Sequence, residues 1–260
     1  MTATTAHRHL ARAPRALCDG DEYRDLRMTA LDTVAAISCL ASDSRRHGDA
    51  VFSALGRAAL EGTGVLSESA KDIVWEPLEI STSLAELGTV VGHRRRPADV
   101  RAELAAIAAA KDPDGDPLIA WTERGRALTV TISAWWHSAA RGGVVRSVRI
   151  VPAAYATLPP LERRAYVWLA GWVGIDASST VRRIGIDTLV AHLWPDPPPT
   201  PTAARQRRRR TRVAVGQLSA LPDHGWIFAR GPSTVTVLAR RRERPAPASA
   251  SVAPRTEEAS

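Results

Sequence analysis

Lysine is almost missing from this chain of 260 residues: only Lys71 and Lys111 carry it, against 33 arginines. Neither lysine follows a glycine-rich turn, which excludes a P-loop and the ATP-driven work that goes with one. Cysteine is scarce as well. Cys18 and Cys39 are the two present, neither in a CxxC, so a disulfide framework and a zinc ribbon are both excluded and a reducing compartment fits. Long apolar runs are absent: nothing approaches the roughly 18 uninterrupted residues of a membrane span. Near the N-terminus, "HRHLARAPRALCDGDEY" lacks the apolar core of about 7 to 15 residues that a signal peptide needs. The expectation is a cytoplasmic protein without membrane contact.

What is present is hydrophobic content of 45%, enough over this length for two domains of about 100 to 120 residues. The net charge is +8, with a pI near 10.6, and it is local. Between Val181 and Arg244 stand thirteen arginines against Asp187, Asp196, Asp223 and Glu243, a net of +9 that leaves −1 for the rest. A field this concentrated suits nucleic acid, with anionic membrane surfaces the other class it attracts. Arginine suits phosphate because its planar fork stays charged and binds two oxygens at once.

Residues 1–26 and 241–260 are rich in Ala, Pro, Ser and charge without periodicity, and both are expected to be disordered. Residues 27–145 and 146–240 repeat one order of elements. In the first, "TALDTVAAISCLAS" reads as a helix with Thr29 as its cap. "DIVWEPLEI" looks extended, and "STSLAELGTVVG" reads as a short helix stopped by Gly92. "HRRRPADVRAELAAIAAA" follows as a helix with Pro97 at its first position and Val100, Leu104 and Ile107 in one stripe. "PLIAWTERGRALTVTIS" is then a hairpin turning at Arg124 and Gly125.

The second half gives strand "RSVRIV" and helix "PPLERRAYVWLAGWV", with Leu161, Ala165, Trp168 and Trp172 on one face. After strand "VRRIGI" comes a short helix capped by Asp187, then a proline-rich connection, an arginine helix and a second hairpin. Helix, short helix, basic helix and hairpin make a winged helix. The fold class expected is α+β: two winged-helix domains with disordered tails.

In "AARQRRRRTRVAVGQLSAL" six arginines occupy eight positions, and apolar residues continue without a break. On a helix, Ala214, Leu218 and Leu221 share one face while Arg205, Arg208, Arg209 and Arg212 stand well round from it. Such a face repels itself unless an anion lies across it, and a helix N-terminus adds amides to the same place. A solvated charged face is the bland alternative. Arg205, Gln206, Arg207, Arg208, Arg209, Arg210 and Arg212 are the expected DNA contacts. Arginine pairs with guanine and glutamine with adenine in the major groove, but which arginine meets base and which meets phosphate stays open. Gly216 in mid-helix costs about 1 kcal/mol relative to Ala, a cost that close packing would explain. Arg94, Arg95, Arg96 and Arg101 are candidate contacts of the first half, with an exposed loop as the alternative, and Arg230 is a candidate on the wing. The eight tryptophans are expected to pack rather than stack on bases.

Catalytic constellations are missing, and neither cofactor nor metal is expected. "HRH" at His7 to His9 is similar to the metal pair of rolling-circle nickases. Those enzymes also need a nucleophilic tyrosine, and Tyr23, Tyr155 and Tyr166 sit in no matching motif.

The second half also resembles a known family. "LAGWVGID", "IDTLVAHLWP" and the arginine helix ending in "GW", within residues 146–238, are similar to the C-terminal region of the IncQ-type plasmid replication initiators, the RepC family. The resemblance implies paired winged-helix domains that bind double-stranded origin repeats, or iterons, and help open adjacent AT-rich DNA for a helicase and primase. It places the DNA-reading helix at Arg205 to Leu221. The proline-rich connection from Pro195 to Pro201 is longer than the family pattern. Self-association is left open, and a winged-helix transcriptional regulator is the alternative.

Overall fold

The computed structural model describes residues 11–43, 75–92, 94–141, 145–173, 182–194, 196–221, 226–231 and 234–239. The tail 241–260, His7 to His9 and the Gly174 to Asp176 part of one family-like motif lie outside them. Helices and strands mix as an α+β fold with three antiparallel sheets among the described residues.

The N-terminal arm differs from expectation, because residues 11–26 belong to the folded body. Strand β1 (Ala11–Pro14) pairs with β5 (Ser147–Ile150), Ala11 opposite Ile150 and Pro14 opposite Ser147. Helix α1 (Arg15–Asp19) follows, its Leu17 and Cys18 buried, and after a single 3-10 turn comes α2 (Arg24–Thr29). Thr29 therefore closes one helix instead of capping the next: its hydroxyl donates to the Asp25 carbonyl at 2.8 Å. The next helix, α3 (Leu31–Ala41), starts from Ala30 with no side-chain cap. Cys18 and Cys39 are free and buried, and burial raises both thiols well above their ordinary range.

The first half continues through β2 (Leu78–Thr82), α4 (Leu84–Leu87), α5 (Pro97–Ala109), β3 (Ile119–Arg124) and β4 (Ala127–Ile132). Ser83 caps α4 by accepting from the Glu86 amide at 3.1 Å, and the helix ends at Gly88, four residues before the expected stop. Val100, Leu104 and Ile107 bury the inner face of α5, as their spacing requires. Arg124 pairs with Ala127 across a tight turn in which Gly125 takes φ +64°, where a Cβ would be strained. The sheet order is β2-β4-β3, so the first strand lies beside the last.

Helices α6 (Ala134–Arg141) and α7 (Pro152–Thr157) flank β5. The second half repeats the order with α8 (Pro160–Val173), β6 (Arg182–Gly185), α9 (Ile186–Leu193), α10 (Pro201–Ser219), β7 (Trp226–Arg230) and β8 (Thr234–Ala239). Its sheet runs β6-β8-β7, the same arrangement. Residues Ala165 to Ala170 of α8 are all buried, so beyond its charged first turns this helix is covered on every side and not along one stripe.

One apolar core runs from Ala11 through to Leu218. The expected break between residues 145 and 146 thus coincides with no gap in the packing. A buried polar cluster crosses the same line. Asp32 of α3 accepts from Arg163 Nη1 of α8 at 2.7 Å and from the Tyr155 hydroxyl of α7 at 2.6 Å. Burial, reinforced by that carboxylate, pushes the Tyr155 phenol well up. Further along, Arg24 of α2 donates to the Ala191 carbonyl of α9 at 2.8 Å.

Candidate nucleic-acid interface

Helix α10 begins earlier than its arginines suggest. Thr200 is in extended geometry and its hydroxyl accepts from the Ala203 amide at 3.1 Å, while Pro201 fills the first helical position. Pro201 of the expected connection is thus helical, and the uncapped Thr202 amide lies about one turn before Arg205. The helix is 19 residues long, about 28 Å at 1.5 Å per residue. Thr211, Ala214, Val215 and Leu218 are buried against α8, α9 and β7. Arg205, Arg209 and Gly216 stand at i, i+4 and i+11 on the far side, with Gln206, Arg210 and Val213 also exposed there, while Arg212 at i+7 is half-buried.

The arginines divide by what they touch. Arg208 donates through Nε to Asp187 Oδ1 and through Nη2 to Oδ2 at 3.1 Å, a bidentate pair between α10 and α9. Asp187 is not the cap expected of it, since Gly185 takes that position without any side-chain bond. Arg207 donates to the Asp196 carbonyl and lies 5.9 Å from the centre of the Trp194 ring, which ties the proline-rich connection back onto the helix. Arg205, Arg209 and Arg210 are exposed, with no side-chain partner among the described residues. Their charge is therefore offered to solvent or to a ligand.

In the first half the candidates separate. Arg94 and Arg96 are exposed at the entrance to α5. Arg95 is turned inward, donating to Glu103 at 2.6 Å, Thr33 at 2.9 Å and the Leu87 carbonyl at 3.2 Å, with its side chain 10% exposed. It is a packing residue and is not available at the surface as its neighbours are. Arg101 forms a bidentate pair with Glu123 of β3 at 2.8 and 2.7 Å, and that hydrogen bonding lowers the Glu123 carboxyl below its usual range. Arg230 lies on β7; its side chain is outside the described residues.

The chain is similar in structure to a Pi initiator protein solved in complex with iteron DNA. The match covers 91% of this chain and 99% of that one, with 11% sequence identity and a TM-score of 0.46. At that level the likeness assigns neither a family nor a function. No protein-family model and no curated protein matches the sequence, so the IncQ-type resemblance stands on its motifs alone. Among the described residues no group of His, Cys, Asp and Glu could hold a metal ion, and no helix is long and apolar enough to cross a membrane.

Three residues of this surface escape a reading by composition. Asp187 looks like a cap but orients an arginine. Val213, 49% exposed, is the large apolar side chain left open on the basic helix, visible in the sequence only as one more apolar residue. Gly216 is exposed, and a Cβ there meets nothing within 4 Å, so packing inside the protein does not explain it. Gly216→Ala is accordingly expected to raise stability by about 0.5 to 1 kcal/mol, read as a higher urea midpoint with unchanged slope.

The tryptophans pack where their environment is described. Trp136 is fully buried and Trp168 4% exposed, and Trp168 stacks on Trp172 at 5.9 Å and on His192 at 4.3 Å.

Proposed function

We propose that this chain is a non-enzymatic, origin-binding plasmid replication initiator. It binds repeated sites in double-stranded DNA and helps open adjacent AT-rich DNA, through binding energy alone, for a helicase and primase. The observation that carries the DNA-binding part is the outer face of α10. Three exposed arginines without protein partners, on a helix whose inner face is firmly packed, form a basic ridge of major-groove dimensions. Each half has the order helix, strand, short helix, long helix and hairpin, with its first strand beside its last. We read both as winged helices with α5 and α10 as their groove-facing helices. Two such units in one chain, together with the IncQ-like motifs of residues 146–238, support the initiator. In this reading Gly216 lets the helix backbone come close to DNA, so Gly216→Ala weakens binding while it stabilises the fold.

A winged-helix transcriptional regulator is the second reading, and α5 favours it. Its outer face is mainly alanine, and its one arginine there, Arg101, is already paired. The first unit would then serve another purpose than reading DNA.

Footprinting on an origin fragment separates the two. Two units docked about one helical turn apart protect about 20 base pairs. Arg94→Ala with Arg96→Ala, leaving the packed Arg95 in place, is expected to remove protection from one end only. Identical footprints would leave the first half off the DNA and favour the regulator.

A further inference from the structure

The Arg208–Asp187 pair has a geometry that the unpaired arginines lack. A guanidinium carries five N–H donors in a fixed plane. Asp187 takes the Nε donor and one of the two on Nη2, which leaves both Nη1 donors and the second on Nη2. The Nη1/Nη2 edge therefore still presents two parallel N–H groups, the pattern that fits O6 and N7 of guanine in the major groove.

We propose that Asp187 is a positioning residue that holds Arg208 ready to read one guanine, while Arg205, Arg209 and Arg210 supply phosphate contacts. The proposal rests on the DNA-binding reading above. Charge decides between base and phosphate for Arg208. A guanidinium already neutralised by a carboxylate displaces few counterions, and a carboxylate beside a phosphate is repelled, whereas a base edge is uncharged. Arg208 is 46% and Asp187 64% exposed, and a pair so open to water adds little to stability. What it does is restrict a long side chain to one orientation before binding, which removes ordering cost at the moment of contact. Asp187 is itself held in place, being the second residue of α9, where the amide end of the helix favours a carboxylate.

The test starts with the full chain and a randomised pool of DNA duplexes, from which the preferred sequence is selected. Guanines of that sequence are then replaced one at a time by 7-deazaguanine, which lacks the N7 acceptor. Wild type is expected to lose about five- to 150-fold in affinity at one guanine, the range of a good bidentate contact. Arg208→Ala should be indifferent to that replacement and unchanged at the others. Asp187→Ala should lose most of the discrimination at the same guanine while keeping its affinity for unselected duplex, and Asp187→Asn, with one acceptor oxygen left, should retain part of it.

Two results overturn the proposal and leave DNA binding intact. In one, Arg208→Ala weakens all duplexes alike and lowers the salt slope by about 0.9, which makes it a phosphate contact. In the other, Asp187→Ala keeps full discrimination or tightens binding to every duplex, which makes Asp187 a mere counter-charge. Failure of the wild type to bind duplex at all overturns this proposal and the DNA-binding reading together.

Discussion

Alanine at Arg205, Arg209 and Arg210 together is expected to flatten the salt dependence of DNA binding. Each phosphate contact contributes about −0.9 to the slope of log affinity on log salt, so three lost contacts remove about 2.7 units. Over a fourfold rise in salt, the triple mutant should therefore lose about 40-fold less affinity than wild type. These three are chosen because they are exposed and have no protein partner among the described residues. Arg207, held by Trp194 and the Asp196 carbonyl, is a weaker choice. Arg208→Ala serves as the contrast, since a neutralised base-reading arginine changes the slope little. Fluorescence anisotropy across a salt series measures both. A triple mutant with the wild-type slope would assign the ridge to solvent and remove the main support for nucleic-acid binding.

Asp32→Ala is expected to be the most destabilising single change, at about 3 to 5 kcal/mol, because it leaves the buried Arg163 guanidinium without its carboxylate. Arg163 has 8% of its side chain exposed, and the same carboxylate holds the Tyr155 hydroxyl. For a protein of this size the loss corresponds to a fall in Tm on the order of 10 °C. Asp32 lies in the first half and Arg163 in the second, so the change also tests whether the halves fold as one. A continuous core predicts a single transition seen alike from Trp136 and Trp168. Two transitions, with only the first displaced, would show the halves to be independent.

Much of both halves was legible because the signals are local. The apolar spacing of α10, Pro97 at the start of α5 and the Gly125 turn each act within a few residues, and the structure follows them. The arm was not legible. A four-residue strand shows too little alternation to stand out, and the partner of Ala11 is Ile150. Helix α6 was missed for a related reason, since "AWWHSAAR" follows directly on the β4 strand and has no acidic first turn.

The basic face was legible as a face, and the partners of its members were not. Arg95 and Arg208 sit in similar arginine runs, yet one meets Glu103 and Thr33 inside the protein and the other meets Asp187 at the surface. Nothing in the runs themselves distinguishes them. The difference arises from which carboxylate the tertiary fold brings within reach.

The pairing of β1 with β5 sets a constraint on synthesis. Residues 11–14 are made before the strand that completes their sheet, residues 147–150. At about 5 to 20 residues per second, the first strand waits on the order of ten seconds for its partner. During that interval the backbone edge of β1 lacks the strand it pairs with in the finished chain, and the first half cannot close in its final form. Completion of this sheet is thus timed by translation of the opening of the second half, so a chain that stops before Ser147 has an open edge rather than a finished domain.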